Sequence, residues 1–132
     1  MSCNNITIKQ NNNEIYNFNK DKHLVCLLGE EAQKVANYFK NKKIITTTQY
    51  RKFYDKVIEL AQKAQNSSNF EVEVLPFVKM LISKAQYSAN RKACRYEFVK
   101  FMKKSINGVE NKEHLDNFKL FLEAIIGFMP RK

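Results

Sequence analysis

Eight basic side chains lie between positions 79 and 104: Lys79, Lys84, Arg91, Lys92, Arg95, Lys100, Lys103 and Lys104. Only Glu97 opposes them. About a fifth of the chain thus carries +7 of a net charge of +10. A merely solvated surface spreads its charge, whereas such concentration is the footprint of a polyanion partner. On a helix turning about 100° per residue, Lys84 and Arg91 fall on nearly one line with Tyr87 close by. That line borders an apolar stripe, so basic stems can lie on apolar surface while their heads reach solvent. A cation row beside an aromatic ring suits a nucleic-acid backbone, with phosphates on the cations and a sugar or base on the ring. The bland reading puts Tyr87 in the core and leaves the lysines to keep the protein soluble. Spacing favours the core for Tyr87 and binding for the cations, which are expected to converge on one surface.

A second basic set precedes this one. Arg51 sits at the edge of a buried stripe, and Lys52, Lys56 and Lys63 occupy the outer face of the same helix, partly offset by Asp55 and Glu59. Other chemistry finds little footing. The three cysteines (Cys3, Cys26, Cys94) are widely spaced, with no Cys-x-x-Cys pair. They read as reduced thiols, with Cys26 and Cys94 packed as small apolar groups. His23 and His114 stand apart from them, so no metal-ligand spacing is present. The nearest arginine before His114 is Arg95, too distant for the Arg–His pair of a helical ribonuclease. His114 reads as a surface or boundary group at a helix start. Glu30 and Glu31 are adjacent, hence point apart on a helix, and helix-end stabilisation explains them. No glycine-rich phosphate loop exists. No catalytic constellation, cofactor site or metal site is expected.

The elements that must carry these residues follow from composition. The chain has 132 residues, 44% of them hydrophobic, enough for one domain with a real core. Three glycines and two prolines are too few for a sandwich or barrel and point to helices. No apolar run approaches the ~18 residues of a membrane span. No secretory signal is visible, and a cytoplasmic protein is expected. Residues 1–22, rich in asparagine, read as a mobile arm or a strap ordered by a partner, and 23–132 as a single helical domain.

Helical spacing of Ala32, Val35, Ala36 and Phe39 predicts a first helix over about 30–41. Thr46 and Gln49 form a capping box for a second, which runs to about Gln65. Phe70 to Val74 alternates like a strand, but Pro76 and the face of Phe77, Val78, Leu81, Ile82 and Ala85 favour a third helix at about 74–90, ended by a left-handed Asn90. A fourth helix spans about 93–106 and a fifth about 112–129. The expected fold is all-α, a compact five-helix bundle with a flexible N-terminal arm.

Three stretches resemble one family. Thr46-Thr47-Thr48-Gln49-Tyr50-Arg51-Lys52-Phe53-Tyr54 resembles a helix start in the small subunit of type III-A CRISPR (Csm) effector complexes. Lys84-Ala85-Gln86-Tyr87-Ser88-Ala89-Asn90-Arg91 is similar to a second segment of that family, with Asn90 where a glycine is usual. Phe118-Lys119-Leu120-Phe121-Leu122-Glu123-Ala124-Ile125-Ile126 is similar to its ending, although the family often closes on Tyr-His-Lys where this chain has Phe128-Met129-Pro130-Arg131-Lys132. The three run in register over about residues 44–129.

The resemblance implies a five-helix bundle without catalytic activity, stacked head to tail in several copies along guide RNA and target RNA beside other Csm subunits. Arg51, Lys52, Lys84 and Arg91 match basic positions of the motifs and are implied RNA contacts. Lys79, Lys92 and Arg95 join them on local charge alone. Two alternatives from other classes stay open: a helical protein–protein interaction module docking on acidic protein, and a helical DNA-binding regulator. The second is disfavoured by a fourth helix too apolar around its circumference to read a groove.

Overall fold

A computed structural model describes residues 6–130. Two short strands, β1 (Thr7–Gln10) and β2 (Asn13–Tyr16), pair antiparallel, with Thr7 opposite Tyr16 and Gln10 opposite Asn13. Their turn is Asn11-Asn12, both at positive φ (51° and 66°), the left-handed pair that a two-residue hairpin demands and that asparagine tolerates. The residues after it enter the core: Ile15, Tyr16 and Phe18 are buried. The expectation of a mobile arm over 1–22 is therefore corrected for residues 6–22. Asparagine-rich composition argues for disorder, but Tyr16 and Phe18, two apart on the extended chain, supply apolar surface that the helices bury. Residues 1–5 of the proposed arm lie outside the described residues.

The helices follow in order. Helix α1 (Leu24–Cys26) runs through a π-helical turn (Leu27–Glu31) into α2 (Ala32–Asn41). Helical structure thus starts before residue 30, and Glu31 lies inside it, accepting a 2.7 Å hydrogen bond from the Tyr16 hydroxyl rather than decorating a helix end. Thr46 caps α3 (Thr47–Gln65), its hydroxyl accepting from the Gln49 N–H at 3.2 Å, as the capping box predicts. A single turn, α4 (Phe70–Glu73), replaces the strand-like alternation. The Glu73 carboxylate reaches back to the N–H groups of Ser68 and Asn69, both at 3.0 Å.

Helix α5 (Leu75–Asn90) has Pro76 in its first turn, where a missing N–H costs nothing. Its end differs from expectation: Asn90 remains helical, and Lys92 takes the left-handed conformation (φ 64°). Helices α6 (Tyr96–Ile106) and α7 (Lys112–Phe128) complete the bundle, α7 capped by Asn111 through the His114 N–H at 2.9 Å.

Helix α7 packs against both α2 and α3, while α5 pairs with α6 and β2 lies on α6. Aromatic rings run through the core. Phe39 meets Phe101 edge to face at 5.2 Å, Tyr16 meets Phe121 at 4.9 Å, and Phe18 meets Phe118 at 5.5 Å. Such contacts add about 0.5–1.5 kcal/mol each beyond area burial. The Tyr50 hydroxyl donates 2.8 Å to the Leu122 carbonyl, and the Asn117 amide donates 2.7 Å to the Phe18 carbonyl, so these two polar groups are partnered inside the core.

His114 is buried, not superficial. Its Nδ1 accepts from the Glu110 N–H at 3.1 Å, which leaves Nε2 to donate to the Asn19 side chain at 2.7 Å. Cys94 is a free, buried thiol, whereas Cys26 is disulfide-bonded instead of reduced. Cys3 lies outside the described residues.

Candidate nucleic-acid interface

The cations line several hollows rather than a single one. A basic run that crosses from one packed helix to the next must follow the apolar faces of both.

Lys84 faces α3. It shares a groove of about 320 Å³ with Lys56, Lys63, Phe77 and Met80. The Lys63 ammonium lies over the Phe77 ring at 4.6 Å, and Glu59, the acid of this groove, is held by Lys56 at 2.9 Å. Further along α5, the Arg91 guanidinium covers the Tyr87 ring at 5.3 Å, with Nη1 donating to the hydroxyl at 3.4 Å. Tyr87 is 61% exposed, which overturns its assignment to the core. The buried face of α5 is narrow (Val78, Leu81 and Ala85), and Tyr87 lies beyond its edge.

Lys79 sits away from both, donating to Asn107 at 3.3 Å. Partial burial lowers its pKa, while nearby Glu110 pulls the other way. Arg51 is exposed beside Thr47, Thr48 and the Ile126–Pro130 end of the chain. Lys52 is on the outer side of α3 with Asp55 and Lys56. Lys100 and Lys104 face Lys34 and Tyr38 of α2, and Lys104 covers the Tyr16 ring at 4.5 Å.

Lys92 and Arg95 are brought together, but with partners that the sequence did not single out. They line a concavity of about 760 Å³ with Lys40 and Lys43. The signal available was the short Lys40-Asn41-Lys42-Lys43 run just before the Thr46 cap. What the sequence could not show is that the loop after α2 lies against the loop after α5. The Arg95 N–H donates 2.8 Å to Ile44, and its guanidinium donates 3.1 Å to the Lys42 carbonyl.

Among the described residues, no group of three or more His, Cys, Asp and Glu side chains is placed to hold a metal ion. Nor is any helix there long and apolar enough to cross a membrane.

These features define a small, strongly basic helical protein that presents cations from several helices and loops. The family model described as Csm2 Type III-A matches residues 22–129, and the chain belongs to that family. It is accordingly a small subunit of a type III-A CRISPR complex, of a family of non-catalytic subunits. No curated protein and no solved structure matches the chain.

Proposed function

We propose that this chain is a non-catalytic, cytoplasmic subunit that binds the guide RNA–target RNA path of the effector complex through phosphate contacts, beside other Csm subunits and head to tail with copies of itself. The observation that carries the reading is the family match over a chain of net charge +10. Its cations at Arg51, Lys52, Lys79, Lys84, Arg91, Lys92 and Arg95 are all exposed. Pairing with the guide supplies sequence specificity, so phosphate contacts suffice. One copy makes few contacts and binds weakly; copies along one strand add theirs through avidity.

The test is isolation of the assembled complex through a tag on this chain, followed by mass analysis of everything retained. Short processed RNA and larger subunits are expected. Larger subunits retained without RNA, together with no mobility shift of RNA by the purified chain, would support an interaction module instead. The exposed Phe77 and Met80 between Lys63 and Lys84 give that second reading its footing.

A further inference from the structure

We infer that the concavity between the loop after α2 and the loop after α5 is a nucleotide site, taking an RNA phosphate among Lys40, Lys43, Lys92 and Arg95. The inference rests on the RNA-binding reading and specifies where on this chain a strand is gripped.

Four cations from two sequence-distant segments line one hollow, and Glu97 is its single acid. No ion pair among the described residues engages any of the four. Their charge is therefore available to an incoming anion. Arg95 spends one guanidinium donor on the Lys42 carbonyl, which fixes the plane of the group and leaves further N–H donors for a phosphate. The same bond and the Arg95 N–H to Ile44 lock the two loops together. The cations accordingly sit on a site that needs little reordering on binding, and such preorganisation cuts the entropic cost of association.

Size and lining point to more than a lone ion. About 760 Å³ lies within the range of small-molecule sites and admits a nucleotide. Tyr96 borders the hollow, is 46% exposed, and offers a ring against which a ribose or base can lie. The pocket therefore suits a single strand, whose bases are free to turn toward an aromatic, better than a closed duplex.

The experiment compares full-length wild type with Lys40→Ala/Lys43→Ala and with Lys9→Ala/Lys20→Ala, which removes the same charge from exposed positions elsewhere. The readout is fluorescence anisotropy of a labelled oligouridylate across a salt series, with circular dichroism to check each fold. Removing two phosphate contacts from a single strand should lower the slope of log affinity against log salt by about 1.4. Low-salt affinity should fall about tenfold, while the Lys9/Lys20 variant keeps the wild-type slope. Equal slopes for the two variants would overturn the pocket and leave the RNA reading standing. A wild type whose binding does not respond to salt would remove that reading and the pocket with it. Should Lys40→Ala/Lys43→Ala bind RNA normally but fail to join the other subunits, the pocket is a protein contact and the inference is wrong.

Discussion

Gly108 stands so close to the carbonyl oxygen of Tyr16 that a β-carbon on it would collide with that atom, and would press on Phe18 and the Ser105 carbonyl at 3.3 Å. Here the close approach of the hairpin, not a special φ, is what requires glycine. Gly108→Ala must push β2 off α6 and is expected to destabilise the fold by about 1–3 kcal/mol, the range for overpacking. Urea denaturation followed by circular dichroism measures it. An unchanged midpoint would mean that the hairpin does not bear on α6.

Asn117 holds the same segment from the other side, through its amide to the Phe18 carbonyl. Replacing it with alanine leaves a buried carbonyl without its donor, which costs about 1–3 kcal/mol. The loss should appear in the same unfolding experiment. Native-state hydrogen exchange should show residues 13–18 opening more readily in the variant than in the wild type, and equal protection would refute the tether.

Tyr16 and Tyr50 both have phenol pKa values pushed well above 10, chiefly by burial, with Glu31 adding to the shift at Tyr16. The sign follows directly. Above pH 10 the unfolded chain releases these protons while the folded chain keeps them, so stability is full below pH 10 and falls as pH rises beyond it. Tyrosinate absorbance should therefore show two of the six tyrosines ionising only as the protein unfolds. Tyr50→Phe should flatten the alkaline loss while itself costing about 1 kcal/mol at neutral pH from its lost hydrogen bond. Six tyrosines titrating together in folded protein would contradict this.

Lys84 and Arg91 occupy one side of α5 without sharing a hollow, so each is expected to meet its own phosphate. Lys84→Ala/Arg91→Ala should reduce the salt slope of RNA binding by roughly 1–2 units, with a thermal midpoint close to that of wild type because both side chains are exposed. Filter binding across a salt series reads the slope. An unaltered slope would take α5 out of the RNA path.

The five long helices are legible because their signals are local: the period of Tyr50, Phe53, Val57, Ala61 and Ala64, and the cap at Thr46. The hairpin is also written locally, as Asn11-Asn12 between two short extended runs, but the asparagine-rich composition around it carries the opposite signal of disorder. His114 needed knowledge that Asn19 would arrive from the far end of the chain, which no local pattern carries. The candidate site divides the same way. Charge was countable from the sequence, yet its direction depended on which helix faces were buried. Lys40 and Lys43 joined Lys92 and Arg95 only through the pairing of two distant loops.

Burial of Tyr16 against Phe101 of α6 and Phe121 of α7, and of Phe18 against Phe118, also orders events during synthesis. The ribosome makes these two residues before their covering helices, so their apolar side chains remain wet while the intervening chain is translated. Long-range closures of this kind are slow relative to helix formation. Meanwhile the polar, asparagine-rich sequence around them, together with the charge of Lys9, Lys20 and Lys22, keeps the waiting segment from sticking to its neighbours.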